Sequence, residues 1–272
     1  MTSTDTRAVD PRAPHGVIVF DAEWTTGKEL HMADLDAGSS HRVGAVTAGH
    51  LPRFSPDGRD LVFNLDSQPD SEIATADVHV LDLKTEKDRL VGPGSCPSWT
   101  SDGKAFIVYR PDGLHRLATD GSTTLIEGGK DTCGIEVTPG RYVLWDQNEH
   151  LEMLENGKRR SLLEAPGCGI GPVDLDSDRA RIAYTVTCDD VDADQAGLWV
   201  MDLSSGDSKR IMTGNTYGAS WSPDGGWIAT TATNEIEDGK ARTDLWVACV
   251  NGCDPIKVYE GGVNGPTWGP PQ

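Results

Sequence analysis

The stretch Trp221-Ser222-Pro223-Asp224-Gly225 recurs along the chain, as Phe54-Ser55-Pro56-Asp57-Gly58 and as Trp99-Thr100-Ser101-Asp102-Gly103. Each copy leads into an apolar run: Leu61-Val62-Phe63, Phe106-Ile107-Val108-Tyr109 and Trp227-Ile228-Ala229-Thr230. Pro presets φ for a turn, Asp caps the turn with its own side chain, and Gly relaxes the backbone. Each copy therefore predicts a strand, a tight turn and a returning strand.

The last residue before each turn serves as an anchor. The anchors are Phe54, Trp99, Val137, Leu175, Trp221 and Trp268, at intervals of 45, 38, 38, 46 and 47 residues. A period of about 40–50 residues holding four short strands is that of a β-propeller blade. Third strands share a frame: Leu30-His31-Met32-Ala33-Asp34, Val78-His79-Val80-Leu81-Asp82, Leu198-Trp199-Val200-Met201-Asp202 and Leu245-Trp246-Val247-Ala248-Cys249. The turn degenerates in two blades, to Thr138-Pro139-Gly140 and to Asp176-Ser177-Asp178.

The two ends fit together. Gly16-Val17-Ile18-Val19-Phe20 reads as a second strand with no inner strand before it. Gly265-Pro266-Thr267-Trp268 reads as an inner strand with almost nothing after it. Joined, they complete a blade and remove an open sheet edge. The expectation is an all-β, single six-bladed propeller of four-stranded antiparallel blades over residues 16–272, closed by its terminal strands and preceded by a flexible arm, residues 1–15.

The Ser-Pro-Asp-Gly turn, the apolar strand behind it and the Val-Met-Asp strand end resemble the repeats of TolB-type propeller proteins, over nearly all of residues 16–272. That resemblance implies the fold and leaves function wide. Such propellers include periplasmic binding proteins, sensor domains, propellers attached to prolyl-oligopeptidase-type hydrolases, and enzymes that act in the funnel.

Composition narrows the partners. Lys and Arg total 24 against 43 Asp and Glu, a net charge of −19. A surface that negative repels phosphate backbones, so nucleic acid is not an expected partner; a basic protein or peptide, or a small molecule, is electrostatically easier. No apolar run approaches the roughly 18 residues of a membrane span. Residues 1–15 lack the apolar centre of a signal peptide, which points to the cytoplasm. Disulfide-bonded cysteines, or a longer parent chain, would point outside it instead. A monomer is expected.

No nucleophile elbow, Walker loop, zinc-protease helix or dinucleotide fingerprint is present. Gly167-Cys168-Gly169-Ile170-Gly171 is Gly-rich but precedes a strand, not a phosphate-binding helix. His31, His79 and His115 occupy the frame position of Trp199 and Trp246, so they read as packing residues.

Candidate site residues follow from the register. Four residues before each anchor lie His50, Ser95, Cys133, Gly171, Tyr217 and Asn264, where the funnel should open. One residue before it lie Arg53, Ser98, Glu136, Asp174, Ser220 and Thr267, all polar and flanked by apolar neighbours. That alternation suits strands with one face towards a wet channel. The second strands end in Asp21, Asn64, Arg110, Asp146, Thr185 and Thr231. The expected ligand-binding set is His50, Arg53, Arg110, Glu136, Asp146, Tyr217 and Asn264. Glu136 would serve as a general base if burial raised its pKa. The competing reading is a water-filled channel whose charges pair with one another.

Six cysteines allow pairings of Cys96 with Cys133, Cys168 with Cys188, and Cys249 with Cys253. Reduced thiols, or a soft metal held by Cys96, Cys133 and Cys168, are the alternatives. Asp190, Asp192 and Asp194 have the alternate spacing that opens a calcium loop, but its central Gly and closing Glu are missing. No cofactor is otherwise expected. Two function classes remain: a non-catalytic binding or scaffold propeller holding a protein, peptide or small ligand at its funnel, and a small stand-alone lyase, hydrolase or cyclase acting there.

Overall fold

A computed structural model describes residues 13–24, 27–47, 49–66, 76–129, 132–146, 149–189, 194–237 and 240–271. Its strands form six sheets in a ring. Blade 1 joins the C-terminal strand Val263–Gly269 to Val17–Trp24, Gly27–Asp34 and Ser39–Thr47. Blade 2 runs Gly49–Phe54, Asp60–Asp66, Ala76–Asp82 and Lys87–Pro93. Blade 3 runs Ser95–Trp99, Ala105–Arg110, Gly113–Ala118 and Thr123–Gly128. Blade 4 runs Cys133–Thr138, Arg141–Trp145, His150–Glu155 and Lys158–Glu164. Blade 5 splits its inner strand into Cys168–Ile170 and Asp174–Leu175, followed by Arg181–Cys188, Gly197–Asp202 and Ser208–Thr213. Blade 6 runs Thr216–Trp221, Trp227–Glu237, Lys240–Cys249 and Ile256–Tyr259.

The ring closes as expected, with Val17 opposite Gly269 and Ile18 opposite Trp268. The Trp268 indole donates to the His15 carbonyl at 2.9 Å, and the His15 ring lies 3.4 Å from Asp224. Residues 1–12 of the expected arm lie outside the described residues.

Six apolar clusters separate the blades, one at each interface. Val17 and Val19 pack towards blade 2 with Leu61 and Phe63. Ile18 and Phe20, on the opposite face of the same strand, pack towards blade 6 with Ala229 and Val247. Both faces of a blade are therefore buried, which is why second strands read as unbroken apolar runs.

The repeated turn is built by side chains. Ser55 Oγ donates to Asp57 at 2.7 Å, Thr100 to Asp102 at 2.7 Å, and Ser222 to Asp224 at 2.5 Å. The glycine closing each turn has positive φ: 73° at Gly58, 66° at Gly103 and 69° at Gly225. Blade 5 reaches the same turn differently. Asp176 Oδ1 accepts the amides of Ala180 and Arg181 at 2.9 and 3.0 Å, and Arg179 takes the glycine position at φ 56°.

Candidate functional site

Five inner strands turn a polar residue towards the axis, as Arg53, Ser98, Asp174, Ser220 and Thr267, and most of these strands pair irregularly. Registers shift between His50 and Arg53, between Ser95 and Ser98, and between Tyr217 and Ser220. In blade 1 the shift lies opposite Val19–Asp21. The residue three before the anchor then has positive φ: Leu51 at 52°, Cys96 at 52°, Gly218 at 66° and Gly265 at 54°. These are β-bulges, which re-aim side chains at a barrel or propeller rim. Blade 5 interrupts its inner strand at Gly171-Pro172 instead.

The bulges open a chamber of about 350 Å³ at the mouth of the funnel. Its wall is largely apolar, with Leu51, Pro97, Trp145, Ile170, Pro172 and Tyr217. Cys96 and Cys133, bonded to one another, line it as well. Arg53 forms its floor and also lines a second chamber of about 650 Å³ on the turn side of the ring.

Arg53 crosses the axis. Its Nη2 donates to the Val173 carbonyl at 2.9 Å, and its Nη1 lies 3.5 Å from Asp174 Oδ1. Blade 2 and blade 5 stand opposite one another in a ring of six, so this pair spans the channel and separates the two chambers. The other oxygen of Asp174 accepts the Ser220 hydroxyl at 3.0 Å and the Trp221 amide at 2.9 Å. Burial lowers the Arg53 pKa against the attraction of Asp174. Burial likewise raises that of Asp174 against Arg53, the Trp221 amide and the Ser220 hydroxyl.

The ring one residue before the anchors stitches every interface. Trp99 Nε1 donates to the Arg53 carbonyl, joining blades 2 and 3. Between blades 3 and 4, Ser98 donates to the Gly134 carbonyl, while Glu136 accepts the amide and hydroxyl of Ser101, each at 2.8 Å. Arg179 donates to the Glu136 carbonyl across blades 4 and 5. Asp174 holds blade 6, Ser220 accepts the Trp268 amide at 2.9 Å, and Thr267 accepts the Phe54 amide at 3.2 Å.

The expected binding set is therefore dispersed. Arg53 and Tyr217 reach the mouth chamber, Tyr217 at 37% exposure. His50 pairs with Asn64 and Asn264 with Asp21 in the strand ladders, outside the chamber lining. Arg110 donates to Thr123 on the outer strand of its own blade, away from the funnel. Asp146 accepts the His150 amide at 3.0 Å and lies 3.1 Å from its ring. Glu136 is 4% exposed and accepts both donors of Ser101, which joins blade 4 to blade 3.

The pairing of charges within the channel is the reading that fits Arg53 and Asp174. Leu51, Trp145 and Pro172 were not expected at the site. Gly218 and Gly265 were the available signal, since a recurring glycine at one register position marks positive φ. Asn64 braces a neighbouring bulge. Its amide nitrogen donates to the Gly94 carbonyl at 2.8 Å, and its oxygen accepts the Cys96 amide at 3.0 Å.

All six cysteines are bonded, as three of the alternatives the sequence left open, with Cα–Cα distances of 5.7 Å for Cys96–Cys133, 4.2 Å for Cys168–Cys188 and 5.6 Å for Cys249–Cys253. A metal held by Cys96, Cys133 and Cys168 is not the arrangement found, because each sulfur is bonded to another. Among the described residues, no group of three His, Cys, Asp or Glu is placed to hold a metal ion. Asp190 and Asp192 lie outside the described residues, and the Asp194 carbonyl accepts Arg210 at 2.6 Å.

No protein-family model and no curated protein matches the chain. Solved propellers do. TolB from Acinetobacter baumannii is 17% identical with a TM-score of 0.75, over 94% of this chain and 67% of that one. A chain of a nidogen/laminin complex is 10% identical with a TM-score of 0.68, over 93% and 98%. Oligogalacturonate lyase from Vibrio parahaemolyticus is 10% identical with a TM-score of 0.56, over 89% and 74%. At such identities the likeness is one of fold, and it spans binding proteins and enzymes alike.

Proposed function

We propose that this propeller is a binding module whose mouth chamber receives an apolar side chain of a protein or peptide partner, or a small apolar ligand. The observation that carries this reading is the chamber itself: an apolar wall above a floor where Arg53 is already committed to Asp174. Such a cup rewards burial of apolar surface, and its described lining offers no nucleophile with a base beside it. The net charge of −19 favours a partner that is basic around its apolar contact. Three disulfides support an oxidising, extracytoplasmic setting over the cytoplasmic one expected from residues 1–15.

The test has two arms. Intact mass of the protein from its own source is compared under native and denaturing, non-reducing conditions, and affinity capture is run beside it. A native excess that disappears on denaturation, or a partner lost on Leu51→Asp and Tyr217→Ala, supports the reading. Capture and mass that both variants leave unchanged would sink it.

The enzyme reading draws on the turn-side chamber, where burial lowers the pKa values of Arg53 and Arg179 and raises that of Asp174. Perturbed groups in a cleft are also what a structural ion network produces, and here each has a stitching partner. Turnover of any substrate that Arg179→Met abolishes, in a variant that still folds, would overturn the binding assignment.

A further inference from the structure

The third strand of blade 6 ends at Cys249, and Val250-Asn251-Gly252 turns the chain back to Cys253. Cys249 is 9% exposed, opposite Trp227, while Cys253 lies on an exposed stretch with Asn251, Gly252 and Asp254. Its bond closes only four residues of separation, against 20 for Cys168–Cys188 and 37 for Cys96–Cys133. A loop so short constrains the unfolded chain least, so opening it costs the fold least. Cys168 and Cys188 are 7% and 5% exposed, and Cys96 and Cys133 are half-buried on the inner strands of blades 3 and 4, where they line the mouth chamber and not the outer surface.

The two sulfurs of the blade 6 pair are unequal. The Cys253 amide points at Cys249 Sγ, 3.0 Å away. The Lys209 ammonium donates to the Val250 carbonyl at 3.2 Å, one residue from Cys249. An amide donor and a nearby cation both favour a thiolate at Cys249. Asp254, beside Cys253, opposes this from the exposed side.

We propose that Cys249–Cys253 is a thiol–disulfide exchange site, attacked at Cys253 and opened by a dithiol reductant without loss of the fold. The attacking thiolate forms a bond to Cys253 Sγ, the Cys249–Cys253 bond breaks, and its electron pair leaves on Cys249 Sγ. The second thiolate of the reductant then attacks its own sulfur in the mixed disulfide and releases Cys253. The dithiol becomes a disulfide, two electrons pass to the propeller, and the two protons of the dithiol finish on Cys249 and Cys253. The better leaving thiolate directs the reaction, because exchange is fastest when the departing sulfur has the lower pKa.

The test uses the full oxidised chain. It is exposed to dithiothreitol, quenched by alkylation at intervals and mapped by peptide mass, with circular dichroism alongside. The Cys249–Cys253 pair should open at least about tenfold faster than the other two, with the spectrum unchanged. Glutathione, a monothiol, should leave its adduct on Cys253. Adducts on Cys249, equal opening of another pair, loss of structure with the first opening, or free thiols at Cys249 and Cys253 before any reductant is added would each overturn the proposal. The variant Cys249→Ser/Cys253→Ser should lose the fast phase and keep its spectrum; persistence of the fast phase would also overturn it. The glutathione mapping needs no variant, so a variant that fails to fold leaves the decision to the native chain.

Discussion

Removing Arg53 tests whether the channel is held across its axis. At 3.5 Å and an effective dielectric constant near 20, a full charge pair attracts by about 5 kcal/mol before desolvation is subtracted. Both side chains are mostly withdrawn from water, at 17% and 20% exposure, so much of that attraction is offset. Breaking the pair is the costlier event, because it leaves one charge in the channel without its partner. Arg53→Met removes the charge that reaches Asp174 across the axis while the Ser220 hydroxyl and the Trp221 amide stay in place, and it strips the Val173 carbonyl of its donor. We expect a loss of about 3 kcal/mol, at the low end for buried pairs because those two donors remain. Asp174→Asn should cost about 2 kcal/mol. The double variant should cost less than the sum, with a coupling of about 1.5 kcal/mol. Urea unfolding of the four oxidised proteins, followed by Trp fluorescence, completes the cycle. A coupling below about 0.5 kcal/mol would mean that the two groups act independently, and the septum would be refuted.

The other predictions concern the turns, a disulfide and the blade 2–3 staple. Hydroxyl donors hold Asp57 (from Ser55), Asp102 (from Thr100), Asp120 (from Ser122) and Asp202 (from Ser204) below the usual carboxylate range. A lowered folded pKa contributes stability fully above the unfolded value of about 3.9, and that stability is lost as pH falls through the folded values. Scanning calorimetry should therefore show the midpoint dropping as the pH falls below about 4. Cys168→Ala/Cys188→Ala should cost about 3 kcal/mol in urea, as expected for a bond spanning 20 residues. Asn64→Ala leaves the Gly94 carbonyl and the Cys96 amide without their partner beside a side chain only 1% exposed, and should cost about 2–3 kcal/mol by the same assay.

The blades were legible because their information is local. Ser55, Asp57 and Gly58 make a turn among themselves, whatever the rest of the chain does. Repetition of that turn marked the strands, and the unmatched strands at the two ends implied the closure seen at Val17 and Gly269. Blade 5 was legible only in outline, since Asp176 and Arg179 fill the serine and glycine positions with different chemistry. The polar ring before the anchors could be read as facing inwards. Its role as a set of stitches could not, because Glu136 meets Ser101 and Asp174 meets Ser220 only once blades are neighbours in space.

The chain by itself determined a repeat, its strand order and the way its ends join, because turn chemistry and strand alternation act between residues a few positions apart. Tertiary structure decided the shape of the funnel and what lines it. Bulges at Leu51 and Cys96 carry no residue signature, since both hold a backbone conformation that glycine would normally mark. Arg53 and Asp174 are 121 residues apart in sequence and meet only because blade 2 and blade 5 face one another in a ring of six. The number of blades and the twist of their sheets set that encounter, and no stretch of consecutive residues encodes it.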